Sequence, residues 1–405
     1  MIAARFTAIA GTIFLLSAAP VMAADNFNVS ATSNGSTSSL GFSSAEQALN
    51  QLTNNQLSLT LPTYTITSAA NALINYRGLN VTASYPVNST ALNFAIPALG
   101  INQTFTGVTR NDSQNQLVNY LKTNGIYGRV LNALAAVSPT EPLAGNPTSL
   151  MSQMVGRDFS VAFGGENGSV LTPGQRGGEV GLGLAFSHFT QGGVPVDSYT
   201  LPLSYSYRFD RDPRYVLTVE APISYSSVGN AQAGAISLGV SLSIPVSDQW
   251  TVTPKISTGA EASIDLASAG ALVAGSVTSS YRFKVAGIDF VLGDMAGVAQ
   301  SLPLSFGQYS VSPNLTNEYF KNGIMVARPL SLMGIQVPFL ERAEAQAWVT
   351  DTRFFGSKLY DDSYQEVGVS VGKPIALVGR FVRLGLSYFH SHHSDGGMAN
   401  FGYSF

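Results

Sequence analysis

Tyr199-Thr200-Leu201-Pro202-Leu203-Ser204-Tyr205-Ser206-Tyr207-Arg208-Phe209 alternates apolar and polar side chains without a lapse. A period of two is that of a β-strand whose two faces meet different media. The pattern returns at once. Tyr215, Leu217, Val219, Ala221, Ile223 and Tyr225 form one stripe, with Thr218, Glu220, Pro222 and Ser224 among those opposite, and Ile236, Leu238, Val240, Leu242, Ile244 and Val246 alternate with Ser237, Gly239, Ser241, Ser243 and Pro245. A soluble sandwich would show Lys, Glu and Asp on its wet face. Here that face is Ser, Thr and Gly, which suits a confined, hydrated interior, while tyrosines at the ends of an apolar stripe suit lipid headgroups above and below hydrocarbon. The expected architecture is all-β, with a C-terminal transmembrane antiparallel barrel.

Turn signals divide this region into twelve strands, at 178–190, 197–209, 214–226, 232–246, 249–262, 268–285, 288–299, 316–328, 339–354, 363–373, 380–390 and 398–405. An even number is what a single-chain bacterial barrel requires. Connections at 210–213, 247–248 and 286–287 read as tight, and those at 191–196, 301–313, 355–362 and 391–397 as longer. Short turns on the periplasmic side would place both barrel ends there. Pro202, Pro222, Pro245 and Pro254 interrupt regular runs, so bulges or rim positions are expected.

Composition agrees. Of 405 residues, 21 are Lys or Arg and 24 Asp or Glu, so the charged share is 11% and the net charge −3; ordinary globular domains carry roughly a quarter. A nucleic-acid binder would show a basic excess. With no cysteine, disulfides, thiolate metal sites, a cysteine nucleophile and a lipidated N-terminal Cys are excluded.

Residues 1–23 carry Arg5 as their sole charge, an apolar run from Phe6 through Leu16, and Val21-Met22-Ala23 at the end. This reads as a cleaved export signal. No later stretch reaches the roughly 18 uncharged apolar residues that a spanning helix needs, so a membrane-spanning mature chain must close into a barrel. Residues 24–112, rich in Asn, Ser and Thr, read as a small β-rich domain with strands around Leu57, Leu59 and Leu61 and around Leu92, Phe94 and Ile96, and a helix at 45–52. Residues 113–156 read as a helical linker or plug. Leu117, Val118 and Leu121, then Ile126, Val130, Leu131 and Leu134, give two short helices broken at Gly125, with Ser113 as N-cap and a further short helix at 150–155. The barrel occupies 157–405.

The chain ends Asn400-Phe401-Gly402-Tyr403-Ser404-Phe405, with an aromatic at every second position. This resembles the C-terminal signal of bacterial outer-membrane barrels, and the resemblance implies recognition of Phe401, Tyr403 and Phe405 by the barrel-assembly machinery. Helical residues ahead of a twelve-stranded C-terminal barrel are similar to autotransporters, which implies a helix threading the pore and an upstream segment displayed outside. The region before the barrel is far shorter than a passenger solenoid and lacks its repeats.

Inward parity carries Arg208, Glu220, Lys255, Arg282, Lys284, Glu366 and Arg383. Five cations against two anions would bias an open pore toward anions; alternatively these groups pair with one another or with the plug. Chemistry is sparse. Of four histidines, His390, His392 and His393 cluster in the last hairpin without a companion ligand set, so no metal or other cofactor is expected. His188 has outward parity, where a barrel hydrolase would need a partner serine that the sequence does not identify. Asp361 and Asp362 read as solvated loop residues, and Gly177 to Gly183 as strand rather than phosphate loop. The sequons at Asn28, Asn80, Asn88 and Asn102 are expected by chance in such composition. The favoured reading is a non-enzymatic outer-membrane barrel among outer-membrane lipids, acting as translocator, channel or surface-display platform. The alternatives are a secreted, non-inserted adhesin-like β-protein and a barrel hydrolase using His188.

Overall fold

A computed structural model of the chain describes residues 26–52, 54–123, 125–165, 177–306, 309–333, 342–374 and 381–404. The expected export signal and Phe405 lie outside the described residues.

The first module is an antiparallel six-stranded sheet of β1 (Phe27–Ser33), β2 (Ser36–Phe42), β3 (Ala70–Tyr76), β4 (Leu79–Tyr85), β5 (Ala91–Ile96) and β6 (Ile101–Thr106), ordered β2-β1-β3-β4-β5-β6. Alternation puts Phe27, Val29, Ile74, Val81, Phe94 and Ile96 on one face. That face is closed by α1 (Ala45–Gln51), α3 (Arg110–Thr123) and α4 (Ile126–Val137), whose Val130, Leu131 and Leu134 enter the same core.

Two expectations fail here. Leu57 and Leu61 are buried while Leu59 is exposed, because the segment is helix α2 (Asn54–Thr60) and Leu61, just past its end, still donates its N–H to the Leu57 carbonyl at 2.8 Å, so the two share one side. Ser113 does not cap α3. Thr109 and Asp112 do, with the Thr109 N–H donating to Asp112 Oδ2 at 2.9 Å and the Asp112 N–H donating to Thr109 Oγ1 at 3.2 Å. Ser113 lies inside the first turn and donates to the Thr90 carbonyl at 2.6 Å. Helix α5 (Leu150–Ser160), capped by Ser149, runs a turn and a half beyond its expected end at Val155.

The second module comprises β7 (Gly177–Gln191), β8 (Val194–Leu201), β9 (Leu203–Arg208), β10 (Val216–Glu220), β11 (Ile223–Val228), β12 (Ala231–Pro245), β13 (Trp250–Ser263), β14 (Ser268–Val285), β15 (Ile288–Leu302), β18 (Thr316–Pro329), β19 (Glu344–Gly356), β20 (Ser363–Pro374), β21 (Phe381–Ser391) and β22 (Ser394–Ser404). A small hairpin, β16 (Leu304–Phe306) and β17 (Tyr309–Val311), stands between β15 and β18. Proline supplies no N–H, and the ladder breaks at Pro202 and Pro222, whereas β13 runs through Pro254 and β12 ends at Pro245. Thus β8 and β9 are halves of one strand interrupted at Pro202, and β10 and β11 halves of another interrupted at Ala221-Pro222. Counted so, twelve antiparallel strands close when β22 pairs with β7, from Gly181↔Ser404 to Gln191↔Ser394. Closure leaves no open barrel edge.

The faces are inverted relative to a soluble protein. On β12, Ile236 and Leu238 are 56% and 49% exposed outward, whereas Ser237 and Ser241 are 8% and 4% exposed inside. No described helix is long and apolar enough to cross a membrane.

Both barrel termini, near Gly177 and Ser404, lie at one rim, termed the near rim; the hairpins between β7 and β8, β11 and β12, and β13 and β14 mark the far rim. The expected contrast in loop length is not kept. Only Gly192-Gly193 joins β7 to β8 and only His392-His393 joins β21 to β22, both at the far rim, while the near-rim connection after Pro329 continues to Glu344. Loop length therefore does not set the sidedness.

Candidate functional site: a filled lumen and a docked rim domain

Residues 113–156 divide between the modules: α3 and α4 pack on the six-stranded sheet, while the chain from Ser138 onward enters the barrel. Ser138, Thr140, Glu141, Leu143, Ala144 and Asn146 are all buried at the far rim. Asn146 then organises the entry to α5. Its carbonyl accepts from the Ser149 and Ser152 hydroxyls at 2.7 and 2.8 Å, and its amide donates to the Glu141 carbonyl at 2.8 Å.

Helix α5 descends the lumen toward the near rim, and small wall residues admit it. A side chain at Gly259 would press on Leu150, one at Gly270 on Leu143, and one at Gly293 on Phe159 and Ala162. Met151, Met154, Val155 and Phe159 bury against the inner wall in the core that also holds Leu272, Met295 and Tyr319. Polar contacts fix its depth. Asp158, 1% exposed, accepts from Ser276 at 3.1 Å and Tyr319 at 3.3 Å, and lies 3.2 Å from Lys255 Nζ. Below it, Ser280 donates to the Ala162 carbonyl at 2.8 Å. Serine, weakly polar on an empty wall, becomes a donor to the helix once the lumen is filled.

Lys255 also meets Glu220 at 2.5 Å, Arg383 meets Glu344 at 3.0 Å, and Glu366 lies 3.3 Å from Lys321 and accepts from the Trp348 indole at 3.1 Å. Lys284 sits at the near-rim end of β14, exposed, 3.3 Å from Asp289. Arg208 and Arg282 line a cavity of about 390 Å³ together with Arg157 of α5. Across the helix, a second cavity of about 230 Å³ is lined by Lys321, Trp348, Glu366 and Arg383.

Sequence reasoning missed Asp158, Lys321, Glu344 and Glu261. Inward parity marks the last three. Asp158 is marked by a carboxylate one position before the apolar Phe159, on a helix that the Leu150, Met151, Met154, Val155 spacing extends.

At the far rim the sheet domain docks through Arg77, in the β3–β4 turn. Its Nη1 donates to the Leu266 carbonyl at 3.0 Å, and its Nη2 donates to the Thr140 carbonyl at 3.1 Å and to Glu141 Oε2 at 2.6 Å, both side chains fully buried. Ser268 Oγ contacts Glu141 Oε1 at 2.7 Å and Glu261 Oε1 at 3.1 Å, tying the junction to the wall. Burial pushes the Tyr76 phenol up to about 12, so it adds no charge beside Arg77. Asn26 donates to the Val228 carbonyl, the Ala45 N–H to the Asp265 carbonyl, Asn132 to the Pro313 carbonyl, and Tyr127 to the Ala267 carbonyl.

His188 stands on the outer face of β7, its Nδ1 2.7 Å from Asp197 on β8, and among the described residues no serine hydroxyl bonds it. His390 pairs with Asp395 at 2.6 Å, and His393 lies 3.2 Å from Asp361. Among the described residues no three His, Cys, Asp or Glu side chains form a metal-holding group. Phe401 and Tyr403 lie on β22, Phe401 facing outward between Leu184 and Leu384.

No protein-family model matches the sequence, and no curated protein does. Among solved structures the chain is similar to the translocator domain of the autotransporter NalP from Neisseria meningitidis, at 14% identity and TM-score 0.48 over 63% of this chain and 95% of that one. The β domain of the Bordetella autotransporter BrkA matches at 10% identity and TM-score 0.44 over 56% and 98%. An outer membrane channel from Pseudomonas putida F1 matches at 9% identity and TM-score 0.40 over 57% and 95%. The class follows from the molecule's own geometry. A closed twelve-stranded antiparallel barrel with its apolar stripe outside has the architecture of an outer-membrane β-barrel.

Proposed function

We propose that the protein is a surface-display platform: an outer-membrane barrel, closed by α5, that holds its six-stranded domain on the cell exterior. The supporting observation is the fixed position of α5, with Asp158 sequestered against Lys255, Ser276 and Tyr319 deep inside the barrel. A channel needs water along its axis, whereas this lumen holds a helix with apolar and hydrogen-bonded contacts to the wall. Single-chain bacterial barrels keep both termini in the periplasm, so the near rim faces inward and the docked sheet outward. The outward apolar stripe counts against a secreted, non-inserted protein, which would leave those side chains in water. Residues 1–23 would direct export, and Phe401, Tyr403 and Phe405 would present the last strand to the barrel-assembly machinery.

A protease site inserted in the Asn34-Gly35 turn tests the arrangement. Cleavage on intact cells is the expected result. Protection until the outer membrane is permeabilised would overturn exterior display.

A further inference from the structure

The six strands of the rim domain contain no charged residue. Their helix-free face presents Thr37 and Ser39 on β2, Asn28, Ser30 and Thr32 on β1, and Asn71, the half-exposed Leu73 and Asn75 on β3. At the border lies β2, the edge strand of the sheet, with neither proline nor charge over its seven residues. Soluble proteins guard such edges with lysine, proline, bulges or a covering element, because an unpaired row of N–H and C=O groups templates another strand. Here β2 pairs residue for residue with β1, without a bulge, and no strand pairs with its outer side among the described residues.

We infer that β2 is a self-association edge: it pairs antiparallel with β2 of a second copy, joining two rim domains into one continuous sheet. The occupant is argued from charge. An acidic or basic partner strand would find no opposite charge on these six strands, whereas an identical strand meets no repulsion, although the whole chain is net negative. Such a contact is isologous and closes on itself, with Ser39, the middle residue of β2, near its own counterpart.

The orientation of the sheet gives this contact a consequence. The strand ends at Asn26, Phe42 and Tyr76 meet the barrel through the Asn26, Ala45 and Arg77 contacts at the far rim, while among the described residues Asn34 of the Asn34-Gly35 hairpin bonds the domain's own Thr63 and Ser68. Strands therefore lead away from the barrel. Antiparallel pairing then puts the two barrels at opposite ends of the joined sheet, in two membranes that face each other. This last step, bridging between cells, rests on the exterior display proposed above.

The natural chain has no cysteine, so a single introduced thiol reports on pairing alone. Ser39→Cys in the full chain, purified in detergent, is treated with a thiol crosslinker spanning about 10 Å, which covers a two-residue slip in register. A covalent dimer is expected from Ser39→Cys and none from Asn93→Cys, which lies on the same face on β5. A monomeric Ser39→Cys chain overturns edge pairing through β2, including the case in which β2 docks on β6 of the next copy or on an unrelated protein. That assay is independent of sidedness. On cells, Ser39→Lys and Ser39→Glu are each expected to weaken aggregation by about fivefold or more, since like charges then face each other, and mixing the two cell populations restores it. If the crosslink forms and mixing restores nothing while the Asn34-Gly35 protease site remains cleavable on intact cells, the bridging geometry is wrong. If that site is protected, display itself has failed.

Discussion

Asp158 on the lumen helix and Lys255 on the barrel wall form an ion pair at 3.2 Å with each side chain 1% exposed. Glu220, 2.5 Å from the same Nζ, makes the lysine the hinge of a triad that spans two wall strands and the helix. Such a triad gains little over an apolar fill, because desolvation offsets the Coulomb attraction, but it punishes any shift of the helix that separates the charges. Depth and rotation of α5 are thereby specified, which side-chain packing alone leaves loose in a wall of Ser and Gly.

Asp158→Asn is expected to loosen the helix, and Lys255→Met to do so more strongly. Asparagine leaves Lys255 paired with Glu220, whereas methionine strands two carboxylates. Breaking a buried pair by removing one partner costs about 3–5 kcal/mol, so Asp158→Asn should fall at the lower end. Single-channel recording in planar bilayers checks this: both variants should open more often than the natural chain, with Lys255→Met ahead. Equal, silent traces would contradict the ordering.

Two glycines in helices should respond with opposite sign to alanine. Alanine is favoured over glycine in a helix interior by about 1 kcal/mol. At Gly156 of α5 a Cβ meets nothing within 4 Å, so Gly156→Ala should stabilise the barrel by roughly that amount. At Gly128 of α4 the same atom would overlap the Ser312 backbone carbonyl, between β17 and β18, and a backbone cannot swing aside. Gly128→Ala is expected to destabilise the docked domain by about 1–3 kcal/mol. Thermal unfolding of the full chain, followed separately by proteolysis of the rim domain and by gel mobility of the barrel, distinguishes the two.

The barrel strands were legible because each obeys one rule over ten or more residues, and the pattern survives even where Pro202 and Pro222 break the ladder. Leu57, Leu59 and Leu61 misled because three leucines with spacing two also contain a pair with spacing four, and only packing against the sheet core selects the helix. The wall charges Lys255, Glu220, Arg383 and Glu366 were found by parity. Their partners were not: Lys321 and Glu344 keep inward parity on β18 and β19 yet carry no local sign of what they pair with, and nothing local says that α5, which carries Asp158, lies inside the barrel. The Arg77–Glu141 pair joins residues 64 apart in sequence, a separation that no local signal encodes.

Arg77→Met should detach the rim domain without unfolding either module. The guanidinium bridges the Leu266 and Thr140 carbonyls and Glu141, and methionine leaves Glu141 buried without a counter-charge. A loss of about 3–5 kcal/mol in docking is expected. Arg77→Lys should restore only part of it, because one ammonium cannot reproduce the planar fork. Hydrogen exchange over residues 264–268 and 138–142 should accelerate in Arg77→Met, with exchange in the β14–β15 ladder unchanged. Acceleration in that ladder as well would mean that the barrel itself depends on the contact.

Leu238→Lys is the variant that separates a lipid-facing stripe from an ordinary exposed surface. In water, an exposed leucine exchanged for lysine costs little, and surface substitutions mostly lie within about 0.5 kcal/mol. In a bilayer the ammonium must leave water, at about 2–4 kcal/mol near the midplane of a barrel strand. Leu238 lies midway along β12 with Ile236 and Val240 exposed on either side, so it belongs to the widest part of the apolar band. Lysine near a rim can snorkel to the interface; at this depth the side chain is too short to do so without distorting the strand. Reversible urea titration in lipid vesicles should therefore show the full penalty for Leu238→Lys and a much smaller one for Val246→Lys, beyond the near-rim end of the same strand. A flat response at both positions would place β12 in water and remove the membrane from the description.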